Sequence, residues 1–106
     1  MKMPFREILR ERVLLADGAM GTELYARGFF VNRSYDELNL TAPETILRIH
    51  EQYAESGAEI LTTNTFGANR ILLSAFGLAD RTVEINRRGV ELARQAAGEA
   101  VYVAGS

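Results

Sequence analysis

The sequence contains no cysteine, and it has no excess of charge of either sign. Without cysteine this chain alone can form no disulfide scaffold, no thiolate metal site and no cysteine nucleophile. It carries 12 basic and 14 acidic side chains, a formal net charge of −2, and its pI is near 5.4. A chain of this charge lacks the positive surface that a polyanion requires, so we expect no nucleic-acid partner.

Long apolar runs are also missing. The longest, residues 100–104, has five residues, whereas a membrane-spanning helix needs roughly 20. The first six residues lead directly into a charged amphipathic stretch, without the apolar segment of a secretory signal. We therefore expect a cytoplasmic protein that does not enter a membrane.

What the sequence does contain is typical of a globular protein. Of its 106 residues, 47% are hydrophobic and 25% are charged, which argues against disorder. The length is sufficient for one domain at most.

Three short apolar segments have the composition of β-strands. They cover residues 13–16, 59–63 and 100–104, and each is followed by a turn-forming or polar residue. The first, with sequence VLLA before Asp17-Gly18, is expected to be a strand buried on both faces.

Helix signals occupy the two intervals between these strands. The clearest helix is predicted to start at Thr41, with Glu44 completing a capping box and Pro43 in the first turn, and to end at Gly57. Its apolar face follows helical spacing and consists of Ile46, Ile49, His50 and Tyr53.

A second long helix is predicted from an N-cap at Asp80 to Gly98. The residues that share its apolar stripe are Ile85, Gly89, Leu92, Ala93 and Ala96. Shorter helical pieces are expected at 69–76, closed by Gly77, and at 20–27, closed by Gly28, whereas 29–40 is expected to be an irregular connection.

The predicted order is strand, helix, strand, helix, strand, which is typical of parallel βαβ units and indicates an α/β fold. Two architectures begin in this way, an open doubly wound sheet and a (β/α)8 barrel of roughly 250 residues. If the fold is a barrel, this chain is less than half of one.

Ligands of α/β folds meet the carboxyl ends of the strands, which here are residues 17–22, 62–67 and 105–106. Gly18 and Gly21 let the backbone approach a ligand, and amides at a helix start suit a carboxylate or phosphate. Asp17 beside them can hold an ammonium group. Together they describe a receptor for the zwitterionic end of an amino acid. The alternative is that Gly18 and Gly21 merely make a tight strand-to-helix turn and that Asp17 caps the helix, which is the more common outcome on spacing alone.

The second strand has an unusually polar exit, TTNT at 62–65. Asn64 can both donate and accept hydrogen bonds to a substrate, although Asn and Thr also occur there simply as turn-forming residues. His50, on an apolar helix face, is expected to be a packed, hydrogen-bonded core histidine. The first turn matches neither the dinucleotide fingerprint nor the P-loop.

Three ordered motifs now become recognisable, namely LADGAMGT at 15–22, DELNL at 36–40, and GAE at 57–59 leading to TNTFGANR at 63–70. Together they resemble the N-terminal part of the homocysteine S-methyltransferase family, over essentially the whole chain. The sequence is similar both to the homocysteine-binding module of bacterial bifunctional proteins that also carry a methylenetetrahydrofolate reductase and to the first module of cobalamin-dependent methionine synthases.

The resemblance implies a (β/α)8 TIM barrel that binds L-homocysteine and a catalytic zinc at the carboxyl ends of its strands and makes methionine. Zinc would hold the homocysteine sulfur as a thiolate, a better nucleophile than the thiol. The methyl donor, a folate, a cobalamin or a sulfonium compound, stays open. By the same resemblance, Asp17 binds the ammonium group, the Gly18 and Ala19 amides lie near the carboxylate, and Asn64 and Thr63 line the pocket.

The sequence departs from the family in one respect. The family's zinc is held by three cysteines of later strands, and this chain has none. We therefore expect residues 1–106 to be an N-terminal fragment of the homocysteine-binding domain, with no metal ligand and no catalytic residue, inactive alone and self-associating through open sheet edges. The alternatives are a self-contained small α/β binding module and a fragment of a phosphate-binding TIM-barrel enzyme.

Overall fold

The structure is a computed structural model that describes residues 2–30 and 32–106. Val31, within the connection predicted at 29–40, and Met1 lie outside the described residues. In chain order the elements are α1 (Phe5–Glu11), α2 (Gly21–Ala26), α3 (Leu38–Thr41), α4 (Pro43–Glu55), β1 (Ile60–Thr62), α5 (Arg70–Ser74), a 3-10 helix (Ala79–Arg81), α6 (Thr82–Ala97) and β2 (Tyr102–Ala104).

The sheet is parallel and has β1 at its centre. β1 pairs with β2 in the register Ile60 with Tyr102 and Thr62 with Ala104. On the other side of β1, Ala16 forms an isolated parallel bridge with Ile60. The predicted α/β class is confirmed, and the three segments expected as strands lie side by side and run in the same direction.

The first of these segments differs from the prediction. Only Ala16 pairs with β1, and Val13 and Leu15 are 92% and 58% exposed, so a strand buried on both faces is wrong. Backbone bonds from Glu59 and Ile60 to the Leu15 carbonyl hold the segment at the sheet edge. The side chains of Val13 and Leu15 stay exposed because, in the described ranges, no other element packs over them.

The main core is formed by helices α2, α3, α4 and α6. Its buried members are Leu24, Leu38, Ile46, Ile49 and Leu92. Burial of side chains of this size contributes roughly 1.5–3 kcal/mol each. The predicted apolar face of α4 is confirmed for its three buried members, Ile46, Ile49 and His50.

Both predicted helix starts are wrong in detail. Pro43 does begin α4, but the N-cap residue is Ala42, and Thr41 is the last residue of α3, where its hydroxyl donates to the Glu37 carbonyl. Thr41 is therefore unavailable for a capping box. Asp80 lies inside the 3-10 helix that precedes α6, so it does not cap that helix.

Part of the stretch predicted as irregular is helical, because Leu38 and its neighbours form the short helix α3 against α4. The predicted buried stripe of α6 is correct except at its end, where Ala97 is buried instead of Ala96.

The glycine that ends α4 behaves as predicted. Gly57 has φ of 106°, and the Ala58 amide donates to the Tyr53 carbonyl while the Gly57 amide donates to Ala54. This pair of bonds is the Schellman motif, which turns the chain from α4 into β1.

None of the helices in the described residues has the length and apolar character that spanning a membrane requires.

Candidate functional site

A cleft of about 570 Å³ opens where β1, β2 and the segment through Ala16 end. The residues predicted as a site at these ends come together there, as Asp17, Gly18, Thr63 and Asn64 all line the cleft. Ala19 is not among its lining residues. The remaining lining residues are Met20, Gly21, Arg33, Ser34, Tyr35, Asp36, Thr62, Phe66, Gly67, Leu72, Ala75, Phe76 and Ser106.

Asp17 is held in the cleft by the neighbouring strand. Its Oδ2 accepts from the Thr62 backbone amide at 2.9 Å, and its Oδ1 accepts from the Thr62 hydroxyl at 3.0 Å. Each oxygen has a second acceptor position. Asp17 is therefore oriented before any ligand arrives and keeps its capacity to accept from a cation.

Tyr53 of α4 supports the backbone that follows Asp17. Its hydroxyl donates to the Ala19 carbonyl at 2.7 Å. A Cβ at Gly18 would lie 3.0 Å from the Tyr53 oxygen, so the ring packs closely under this glycine. Across the described part of the chain, neither the Gly18 nor the Ala19 amide donates to a protein acceptor. These two amides can serve an anionic group.

Thr63 is buried, and its hydroxyl is already engaged. The oxygen lies 2.7 Å from the Thr65 hydroxyl and accepts from the Ser106 amide at 3.3 Å. Its backbone amide donates to Ala104. Thr63 thus joins the exits of β1 and β2 and forms part of the wall of the cleft.

Asn64 pairs with Asn39 of α3, a residue for which the sequence analysis predicted no role. The Asn64 amide group donates to the Asn39 Oδ1 at 3.0 Å and to the Tyr35 carbonyl at 2.9 Å. Asn39 in turn donates to the carbonyls of Asn64 and Ile85. Asn39 is fully buried and Asn64 is 7% exposed. The pair fixes the backbone and the side chain at the exit of β1.

Asp36 adds a second carboxyl group to the cleft. Its Oδ1 accepts from the Gly67 amide at 3.2 Å. Burial raises the pKa of Asp36, and the bond from Gly67 partly offsets that rise. The Asp36 carboxyl therefore anchors the loop after β1, although burial disfavours its charged form.

The mouth of the cleft is apolar. Phe66, which follows the β1 exit, is 87% exposed, and Phe76, after α5, is 46% exposed. Arg33 is the one basic residue among those that line the cleft, and its guanidinium lies over the ring of Phe29. The site thus combines two carboxyls, one guanidinium and an aromatic rim.

His50 lies on α4, about one helical turn before Tyr53. It is packed in the core as predicted, but neither ring nitrogen has a partner among the described residues, so the predicted hydrogen bonding is wrong. Burial lowers the pKa of His50, an effect that the charge of Asp17 partly opposes. The imidazole is therefore held neutral at physiological pH.

Sequence reasoning missed Asn39, Tyr53 and Asp36 as supports of the site. Their partners lie 25 to 34 residues away along the chain, a separation that no local pattern encodes. One signal was present, since Asn39 is a polar residue between Leu38 and Leu40 in a segment that otherwise packs into the core.

In residues 2–30 and 32–106 no group of three or more His, Cys, Asp or Glu side chains is arranged to hold a metal ion. The donor set that the cleft offers, the carboxyls of Asp17 and Asp36, each already engaged with a backbone amide, does not fit a zinc centre.

Comparison with known proteins identifies relatives of this chain. The family model described as homocysteine S-methyltransferase matches residues 14–106. The methionine synthases of Mycobacterium tuberculosis (strain ATCC 25618 / H37Rv) and Mycobacterium leprae (strain TN) are each 36% identical over 99 residues, 88% of this chain. The chain spans 8% of the length of either relative.

Solved structures agree with these matches. The metallated form of the homocysteine methyltransferase MmuM from Escherichia coli superposes with a TM-score of 0.81 at 33% identity, covering 97% of this chain and 40% of that protein. The oxidized form of the same protein superposes with a TM-score of 0.76 at 34% identity, covering 90% of this chain and 34% of that protein. The chain is thus an α/β polypeptide that belongs to the homocysteine S-methyltransferase family.

Proposed function

We propose that this chain forms the homocysteine-binding part of an enzyme that transfers a methyl group to the sulfur of L-homocysteine and yields methionine. In this proposal residues 1–106 are the N-terminal βαβαβ portion of a (β/α)8 barrel. The chain spans 40% of the Escherichia coli homocysteine methyltransferase, so the complete reaction is assigned to a longer parent protein, and the isolated chain is inactive.

One observation carries the proposal. A carboxylate, Asp17, is oriented by two bonds from Thr62 beside the backbone amides of Gly18, which lines the cleft, and of the next residue, Ala19, and neither amide has a protein acceptor in the described ranges. An α-amino acid carries an ammonium group and a carboxylate on the same carbon. Asp17 would accept from the first, and the amides would donate to the second.

The role of these residues is binding and orientation. By holding the amino acid end, they fix where the homocysteine side chain extends, so that its sulfur meets the methyl donor in one geometry. Asn64 and Thr63 complete the wall on the β1 side. A folate, a cobalamin or a sulfonium compound as donor is equally compatible with this role.

Zinc is part of the proposal only for the parent protein. The carboxyls of the cleft do not fit a zinc centre, and this chain has no cysteine. No step of the chemistry is therefore assigned to a metal on these residues. We propose that residues outside this chain supply the ligands.

Asp17→Asn tests the grip on the amino acid. Asparagine can keep both bonds to Thr62, accepting from the amide and donating to the hydroxyl, so the fold should be preserved while the charge is lost. We expect the dissociation constant for L-homocysteine to rise about 10- to 100-fold, because hydrogen bonds to charged groups contribute about 1.5–3 kcal/mol. Amide chemical shifts on titration measure it.

The matched control is Asp80→Asn, which removes an exposed carboxylate that does not line the cleft. Equal affinity of the wild type, Asp17→Asn and Asp80→Asn would refute the assignment of Asp17. No binding of L-homocysteine by the wild-type chain would refute the proposed function of this chain.

We also propose that the chain self-associates through its sheet edges. The segment around Ala16 presents exposed apolar side chains at Val13 and Leu15 beside a sheet edge, a combination that favours pairing between chains. Leu15→Lys should weaken association about tenfold, equivalent to about 1.4 kcal/mol. Light scattering across a concentration series measures the effect, and a wild-type monomer at every concentration would contradict the idea.

A further inference from the structure

The amide pair formed by Asn39 and Asn64 determines what Asn64 can offer to a ligand. Asn39 is fully buried, and its Nδ2 faces two backbone carbonyls, Asn64 O at 2.9 Å and Ile85 O at 3.2 Å. A carbonyl can only accept, so this end of Asn39 must be the NH₂ group. The Asn39 Oδ1 is therefore the atom that points toward Asn64.

The orientation of Asn64 follows from that of Asn39. Its side chain meets two acceptors, the Asn39 Oδ1 at 3.0 Å and the Tyr35 carbonyl at 2.9 Å. Both amide hydrogens of Asn64 are consumed by these contacts. Turning the amide over would set its oxygen against two acceptors, so the orientation is determined by protein groups alone.

The oxygen of Asn64 is left for a ligand. In the described part of the chain no donor reaches Asn64 Oδ1, and the buried side-chain polar atoms that lack a partner there are both on His50. Asn64 Oδ1 is thus accessible, on a residue that lines the cleft.

We propose that Asn64 acts only as an acceptor, taking a hydrogen bond from the ammonium group of a bound amino acid through Oδ1, and that Asn39 is the positioning residue that imposes this role. The inference rests on the proposed function. It refines the sequence prediction that Asn64 both donates and accepts, and it gives the ammonium a second acceptor besides Asp17. The cleft would then select against ligands that lack an amine.

The test compares L-homocysteine with 4-mercaptobutanoate, which has the same thiol and carboxylate but no ammonium. The purified chain is labelled with ¹⁵N on asparagine and titrated with each. In the wild type we expect L-homocysteine to shift the side-chain amide signals of Asn64 and 4-mercaptobutanoate to leave them in place. An equal shift, or none, with both bound ligands would overturn the proposal.

Asn39→Leu tests the positioning role. Without its partner the Asn64 amide can rotate, so L-homocysteine should bind about tenfold more weakly, while the affinity for 4-mercaptobutanoate should change less than twofold. Asn86→Leu is the matched control, since Asn86 also donates to two backbone carbonyls, of Ala68 and Thr82, but does not line the cleft. It should lower stability and leave the ratio of the two affinities unchanged.

Equal losses of affinity for both ligands in Asn39→Leu would show that Asn39 is merely structural and would overturn its positioning role. If the wild type binds neither ligand, the proposed function fails for this chain. The side-chain amide signals of Asn64 in the ligand-free proteins then test whether Asn39 positions Asn64. Dispersed, slowly exchanging signals that collapse in Asn39→Leu support the positioning role, whereas signals that are the same in both proteins refute it.

Discussion

Two of the three strand exits at the cleft are built in different ways. The first turn, Asp17 to Ala19, is largely exposed and is held from outside, by Thr62 and by the Tyr53 hydroxyl. At the β1 exit, Thr63, Asn64 and Thr65 are each at most 7% exposed and are held from within by buried side chains.

This difference separates two ways of preparing a binding site. The first turn offers backbone amides and depends on the absence of a side chain at Gly18. The second offers side-chain groups and depends on a network in which each amide fixes the next. Substitutions should therefore affect the first exit locally, whereas they should affect the second through the packing of α3 and α6.

The largest effect is expected at Gly89 of α6, which packs against the β1 exit. A Cβ there would lie 2.8 Å from Thr65 Cγ2 and 2.9 Å from Asn39 Nδ2. Overpacking costs about 1–3 kcal/mol, and the better helix propensity of alanine returns somewhat less than about 1 kcal/mol. Both contacts are shorter than 3.0 Å and involve buried side chains, so the cost should lie in the upper part of that range. Gly89→Ala should thus lower the free energy of unfolding by about 1–2 kcal/mol, as measured by urea denaturation.

Gly21→Ala, at the start of α2, is the comparison variant. Its Cβ would meet Tyr35 at 3.6 Å, an ordinary contact, so the change in stability should stay within about 0.5 kcal/mol. Equal losses of stability in Gly89→Ala and Gly21→Ala would contradict the view that the β1 exit is more tightly packed than the first turn.

A smaller effect is expected at Gly18 in the first turn. Gly18→Ala places Cβ 3.0 Å from the Tyr53 oxygen and 3.3 Å from Cε1, which should cost about 1 kcal/mol. In a Tyr53→Phe background the cost should fall by about 0.5 kcal/mol, since the closest atom is gone. Strictly additive losses in this double-mutant cycle would mean that Tyr53 does not restrict the turn.

The smallest effect concerns His50, which lies on α4 behind the first turn. Burial lowers its pKa in the folded state. As the pH falls past about 6.5, His50 therefore binds a proton in the unfolded chain more readily than in the folded chain. The free energy of unfolding decreases as a result. His50→Leu should remove this loss, which amounts to less than about 1 kcal/mol between pH 8 and pH 6.

Urea denaturation of the wild type and of His50→Leu at both pH values measures the difference. Because His50 is the only histidine, no other imidazole contributes. A pH dependence that survives unchanged in the variant would assign it to other groups. At pH 8 the variant should be as stable as the wild type or slightly more so, since two buried nitrogens without partners are removed.

Much of the fold could be predicted from local sequence patterns. Gly28, Gly57, Gly77 and Gly98, each predicted to close a helix, all have positive φ. The predicted N-caps at Thr41 and Asp80 are wrong because Thr41 belongs to α3 and Asp80 to the 3-10 helix. The exposure of Val13 and Leu15 could not be foreseen, since burial depends on which elements cover the segment.

The predicted site residues converge at the cleft except for Ala19, because the carboxyl ends of parallel strands meet at one edge of a sheet. Their roles at the atomic level could not be predicted. That Asn64 has its NH₂ group engaged depends on Asn39 and Tyr35, and that Gly18 is tightly packed depends on Tyr53. Each of these is a tertiary contact.

Helix α4 links the first turn and the β1 exit in another way, because it is the helix that leads into β1 and it also contacts the first turn through Tyr53. Each residue of a helix advances its side chains by about 100° around the axis. A one-residue insertion or deletion before Tyr53 in α4 would swing its hydroxyl away from Ala19. Over evolution, the length of α4 up to Tyr53 should accordingly be constrained to the residue.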